Sequence, residues 1–177
     1  MCVIDPKSGA LNRVRRVGDV NELQQACVSG LEGVVGIAHT RWATHGKATE
    51  DNAHPHVSND TISVVHNGII ENYQELREEL KKAGYQFTSD TDTEVLAHLL
   101  HREIMDASGF RDGVFKALNL LEGAYAIAVM HVDYPNSLVA ARVGSPLVVG
   151  LGIGENFVAS DPQALRPVTD RFIYLDE

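Results

Sequence analysis

Cysteine is scarce. Only Cys2 and Cys27 occur in 177 residues, and neither has a CxxC partner. That excludes a disulfide framework and suits a reducing cytoplasm. Basic charge is also short: 15 Lys and Arg stand against 24 Asp and Glu, for a net charge of -9. This balance argues against a nucleic-acid partner. The acidic residues are scattered, so no acidic tail is implied. No apolar run is long enough to span a membrane, and the start shows no basic-then-apolar signal pattern. Internal repeats, low-complexity tracts and linkers are missing too. What is left is an ordinary globular composition, 44% hydrophobic with mean hydropathy -0.10. It suffices for one domain with a sizeable core.

The chemistry-bearing residues concentrate between Gly36 and Gly68. Val34 to His39 and Ile62 to His66 are short apolar runs of the kind buried strands make. Between them lies a long polar loop, and compact domains keep such loops for binding or catalysis. It carries the only tryptophan, Trp42, with Arg41, Thr44, His45, His54 and His56. Arg41 offers a planar fork of donors suited to a carboxylate, or a surface ion pair. Trp42 can close over a ligand or anchor a core. Thr44 and His45 put two hydrogen-bonding side chains beside Gly46, where backbone can approach closely. Asn67-Gly68 ends the second strand. Asn-Gly usually marks a hairpin turn. Here a helical pattern follows Ile69-Ile70-Glu71-Asn72, so the pair suits a two-donor oxyanion hole instead. The histidines, His54 and His56 with His45 and His66, invite a zinc reading. No HExxH pattern supports it, and neither metal nor cofactor is expected.

Elsewhere the periodicities alternate between strand and helix. Cys2 to Ile4 reads as a strand, and Leu11, Val14 and Val17 as another with Arg13, Arg15 and Arg16 on a solvated face. Val20 to Val28 is helical, and Gly30 would end it. Asn72 with Glu75 fits a capping pattern, followed by a stripe of Tyr73, Leu76 and Leu80. Thr91-Asp92-Thr93-Glu94 repeats the capping logic before Val95, Leu96, Leu99, Leu100 and Ile104. Asp92 then occupies the first helical position, where the dipole favours a carboxylate. It either caps the helix or anchors a ligand ammonium. Helix 110–121 precedes strands at 124–131, 137–142, 147–150, 156–159 and 172–175. Strand groups on both sides of a helix group give an α/β layered sandwich with largely antiparallel sheets.

Several blocks of this sequence resemble a known family. HTRWATHG (residues 39–46), NAHPHVS (52–58), VVHNGIIENY (64–73) and TDTEV (91–95) stand in order. So do LEGAYAIAVM, ARVGSPLVVGLG and ENFVASD. They are similar to the glutaminase domain of the glutamine–fructose-6-phosphate aminotransferase (glucosamine-6-phosphate synthase) family, a class II glutamine amidotransferase. The Arg-Trp-Ala-Thr-His form points to this branch rather than to amidophosphoribosyltransferases, where Arg-Tyr-Ser-Thr is more usual. The resemblance implies a four-layer αββα sandwich of the N-terminal-nucleophile hydrolase type, spanning 1–177 as a single domain. It implies L-glutamine as the substrate, an isomerase domain elsewhere in a homodimeric parent chain, and ammonia for converting fructose 6-phosphate to glucosamine 6-phosphate. By carry-over, Asn67 and Gly68 stabilise an oxyanion. Arg41 holds the glutamine carboxylate and Asp92 its ammonium. Thr44 and His45 line the pocket, and Trp42 moves with the loop that closes over it.

The family attacks the amide with the thiol of an N-terminal cysteine, in a Cys-Gly-Ile start that this sequence lacks. Val3-Ile4-Asp5-Pro6 matches the end of the family's second strand, so Cys2 is expected inside a strand rather than at the site. The domain is therefore expected to be truncated at both ends and without isomerase lobes. It would have an open sheet edge and much of the glutamine pocket, but no attacking thiol. A catalytically silent amino-acid or partner-binding domain is the alternative.

Overall fold

The computed structural model describes residues 1–27, 31–41 and 47–176. Its centre is an antiparallel sheet of four strands: β4 (His56–Ser58), β5 (Ile62–Ile70), β6 (Gly123–His131) and β7 (Val139–Val143), labelled with the other strands in chain order and adjacent in that order. β5 and β6 pair without a break from Ile62↔His131 to Ile70↔Gly123. The period of two sorts their side chains between the faces. Ile62, Val64, Ile127 and Val129 point to one side, Val65, Ala128 and Met130 to the other.

Helices cover the first face: α2 (Tyr73–Lys82), α3 (Asp92–Met105) and α4 (Phe110–Leu118). Leu80, Leu96, Leu99, Leu100 and Val114 are wholly enclosed there. α3 is buried along nearly its whole first two turns, because it lies against β4 and β5 and between the other two helices. Truncating Leu99 or Leu100 to Ala would cost about 2–5 kcal/mol. The second face carries a three-stranded sheet, β1 (Cys2–Ile4), β2 (Leu11–Arg13) and β3 (Gly36–Ile37), in the order β2-β1-β3. Cys2, Ile4 and Ile37 pack there on Ala128 and Met130. A further sheet, β8 (Val148–Leu151), β9 (Asn156–Ala159) and β10 (Phe172–Tyr174), runs β10-β8-β9. Helices, sheet and second sheet form the α-β-β part of the expected sandwich. α1 (Val20–Ala26) is capped by Asp19 and buries none of its residues.

Several local expectations change. β2 stops at Arg13, short of Val17, and the apolar run at 34–39 pairs only through Gly36 and Ile37. The long polar segment is not all loop, since His56–Ser58 adds a strand to the central sheet. Asn67 and Gly68 do not end their strand; β5 continues through them to Ile70. Gly68 has φ of +117°, and a Cβ there would lie 2.0 Å from the Ala124 carbonyl oxygen. Only glycine meets both conditions. Asn72 makes no side-chain cap. Its amide donates to Leu120 O at 2.8 Å and accepts from Glu122 N at 3.2 Å, tying α2 to the start of β6. The arginines after β1 are not a simple solvated face. Arg13 donates to Pro55 O, and Arg15 donates to Asp51 O and Ala53 O, so both hold the segment that carries His54.

Candidate functional site

A cavity of about 130 Å³ opens where the end of β3, the middle of β5 and the tip of α3 meet. Arg41, Asn67, Gly68 and Asp92 all line it, with His39, His54, His66 and Thr93. Three stretches distant in sequence, Arg41, Asn67-Gly68 and Asp92, each singled out for a different group of one ligand, thus share a wall. Trp42, Thr44 and His45 lie outside the described residues.

Asp92 reaches the cavity because Thr91 caps α3, accepting from Glu94 N at 3.2 Å, and leaves Asp92 as the first helical residue. The cap is reinforced. Glu94 accepts from Thr88 N and Oγ1 at 2.8 Å and from Ser89 N and Oγ at 2.7 and 2.8 Å. Burial works against the Glu94 charge, yet these bonds hold its carboxyl below the usual range. Arg77 of α2 grips Ser89 O and Thr91 O at 3.0–3.1 Å, stacked over Phe87. Asp92 itself is 4% exposed. Its Oδ2 accepts from Ile70 N at 3.0 Å and stands 3.9 Å from His66 Nδ1. The cap is Thr91 rather than Asp92; the Asp92 carboxylate ties α3 to β5 and lines the cavity.

The opposite wall is set by the loop after β3. Arg41 donates to Lys47 O at 3.3 Å. Asn52, 3% exposed, donates to the same carbonyl at 3.0 Å and accepts from Asp90 N at 3.0 Å. The loop is thereby tethered to the residues just before α3. Asn67 sits on β5 with its Oδ1 2.8 Å from His39 Nε2.

The histidines form a packed set. His39 stacks on His54 with centroids 4.2 Å apart, and His54 meets His56 edge-on at 5.2 Å. His54 Nε2 and His66 Nδ1 lie 3.2 and 3.0 Å from Thr93 Oγ1, and His56 Nε2 lies 3.0 Å from Thr91 Oγ1. Burial drives His54 far below its ordinary pKa, and the neighbouring histidines add to the shift. Burial also lowers His56, to about 3, against an opposing pull from Glu94. His54 and His56 are neutral, hydrogen-bonding rings at pH 7. Among the described residues, no three His, Cys, Asp or Glu side chains are grouped to hold a metal. His39, Thr40, His54, His66, Thr91 and Thr93 line the cavity without having been assigned to it from sequence, and only the two threonines at the start of α3 carried a local signal. Their signal was the alternation of hydroxyl and carboxylate in Thr91-Asp92-Thr93-Glu94.

Cys2 lies apart. It is fully buried in β1, its register partners are Arg13 and Ile37, and burial raises its thiol above the ordinary range. It does not line the cavity.

The layered arrangement is that of the amidotransferases. The solved glutamine phosphoribosylpyrophosphate amidotransferase from Bacillus subtilis matches with a TM-score of 0.61 at 31% identity, covering 77% of this chain and 29% of that one. A second solved structure, an allosteric regulatory enzyme of purine biosynthesis, matches at 0.64 and 30% identity. A family model described as the glutamine amidotransferase domain matches residues 39–167, and the chain belongs to that family. Among named relatives, the glutamine–fructose-6-phosphate aminotransferase [isomerizing] of Pseudomonas putida is 58% identical over 172 residues. That of Escherichia coli is 56% identical over 178. These matches cover 97% and 100% of this chain but 28% and 29% of the relatives, so the chain spans less than a third of their length. No described helix is long and apolar enough to cross a membrane.

Proposed function

We propose that residues 1–177 form one glutaminase domain and that the cavity beside Asp92 binds L-glutamine. The observation that carries this reading is the convergence of Arg41, Asn67, Gly68 and Asp92 on one small cavity. A free amino acid presents a carboxylate and an ammonium at one end, and glutamine an amide carbonyl at the other. Arg41 is the natural partner for the carboxylate, by a bidentate contact. Asp92, at a buried helix tip, takes the ammonium. The Asn67 amide and the Gly68 N–H form the donor pair for the carbonyl oxygen, which gains negative charge as the amide is attacked. The family resemblance alone assigns Thr44 and His45 to the glutamine site and Trp42 to the loop that closes it.

The attack needs a nucleophile that Cys2 does not supply. A groove of 290 Å³ runs past Asn67 and His66 toward Val158 and Ala159 of β9. A thiol other than Cys2 adds to the carbonyl, ammonia leaves, and water then releases glutamate. The name of its relatives, glutamine–fructose-6-phosphate aminotransferase [isomerizing], supports transfer of that ammonia to fructose 6-phosphate; an isomerase domain, a homodimer and a cytoplasmic location are part of the same proposal.

Calorimetry with L-glutamine tests the binding step. Saturable 1:1 binding, abolished in Arg41→Ala, is expected; no heat at millimolar glutamine would remove the proposal. Glutamate release tests the chemical step. None is expected from residues 1–177 alone, and turnover abolished by Cys2→Ala would overturn the exclusion of Cys2.

A further inference from the structure

The hydrogen bond between His39 and Asn67 has a job beyond packing. Asn67 projects from the exposed stretch of β5, where, among the described residues, its side-chain hydrogen bond goes outside the central sheet, to His39. An amide that rotates freely presents its oxygen to the cavity as readily as its NH2, and an oxygen would repel a substrate carbonyl. His39 Nε2 stands 2.8 Å from Asn67 Oδ1. We infer that His39 is a positioning residue: its Nε2–H donates to Asn67 Oδ1, turns the Asn67 NH2 toward the ligand carbonyl, and so makes the site selective for an amide-bearing side chain.

The orientation of His39 is itself set from behind. Its ring lies flat on His54, 4.2 Å between centroids and 21° between planes. His54 is in turn tied to Thr93 beside Asp92. One stack therefore links the grip on the α-amino end of the ligand to the grip on its amide end. Burial lowers the His39 pKa, while its bond to Asn67 acts the other way. The ring is neutral at pH 7, and a neutral ring facing an acceptor oxygen carries its proton on Nε2. Gln at this position can present an N–H in the same direction; Phe keeps the stack and loses the donor.

The inference rests on the glutamine reading, and the experiment separates the two. L-Glutamine and L-norvaline share the α-amino acid end, but only glutamine carries a carbonyl for Asn67. Both are titrated calorimetrically into the wild-type chain, His39→Phe and His39→Gln. His39→Phe should weaken glutamine about tenfold, as one hydrogen bond predicts, and leave norvaline within twofold. His39→Gln should restore glutamine to within about threefold of wild type. Equal losses for both ligands, or no loss for either, would overturn the inference and leave the glutamine site standing. Failure of the wild-type chain to bind glutamine would remove the site and the inference together. If His39→Phe does not fold, the wild type still decides: nitrogen NMR of the His39 ring must show a protonated Nε2, and an unprotonated Nε2 refutes the assignment.

Discussion

Asp92→Asn separates the two duties of the acidic helix tip. In the fold, Asp92 Oδ2 accepts from Ile70 N at 3.0 Å in a site only 4% exposed. The Asn carbonyl can keep that bond. What goes is the charge: a charge-assisted bond becomes a neutral one, and a favourable interaction with the α3 dipole disappears. Together these destabilise by about 1–2 kcal/mol. Binding should suffer more. A ligand ammonium enclosed opposite a neutral amide loses about 2–5 kcal/mol, or roughly 30-fold to several thousand-fold in Kd. Asp92→Ala would reverse the emphasis in stability, because Ile70 N–H is then buried without a partner, for a further 1–3 kcal/mol or so. Urea unfolding measures the first quantity, and calorimetry with L-glutamine the second. Asp92→Asn that binds glutamine within threefold of wild type would refute the ammonium role, whatever its stability.

Gly68→Ala places a methyl 2.0 Å from Ala124 O at a φ of +117°. It should destabilise by about 2–5 kcal/mol and abolish glutamine binding; a thermal midpoint within a degree or two of wild type would show that the β5–β6 register is misread. Arg77→Ala removes the donors to Ser89 O and Thr91 O. A loss of about 1.5–3 kcal/mol is expected in urea, together with weaker glutamine binding, since the α3 entry is no longer held. Acid should unfold the chain early. His54 and His56 are held neutral in the fold, well below the ordinary value of 6.5 and in the case of His56 down to about 3. The unfolded chain therefore binds more protons below pH 6.5, and stability falls with pH. Two such groups give roughly 2.7 kcal/mol per unit between pH 6 and 4. Urea midpoints that stay flat over that interval would contradict the buried-histidine network. Alkylation followed by mass spectrometry should modify the half-buried Cys27 well before the enclosed Cys2; the reverse order would place Cys2 at an accessible site.

Much of this molecule is written in local pattern. Thr91-Asp92-Thr93-Glu94 gave the start of α3 because a hydroxyl cap followed by Glu three residues later is a short-range device, and the apolar spacing after it could only be a helix. Val148–Leu151 and Asn156–Ala159 were legible for the same reason, as two apolar runs around a glycine-rich turn. Asn72 misled because its amide is used 48 and 50 residues away, at Leu120 and Glu122, where no local rule reaches. Gly68 was misplaced for another reason. The hairpin reading was set aside, yet the pair was expected to end its strand, whereas β5 runs on to Ile70 and the glycine is demanded by the neighbouring strand, which leaves no room for a Cβ. Arg15 read as a surface residue because nothing in its neighbourhood announces the carbonyls of Asp51 and Ala53. Of the candidate cavity's lining, the charged residues Arg41 and Asp92 were legible. The hydroxyl and imidazole groups behind them were not, since Thr93, His54 and His39 take their roles from tertiary contacts alone.

The central claim is that one cavity grips both ends of free glutamine. A structure of residues 1–177 with L-glutamine bound tests it most directly. The α-carboxylate should lie on the Arg41 guanidinium, the ammonium against Asp92, and the side-chain carbonyl between the Asn67 amide and the Gly68 N–H. Glutamine bound elsewhere, such as the polar cavity beside Arg13 and Arg15, or lying in this cavity with its amide end turned toward Asp92, would contradict it.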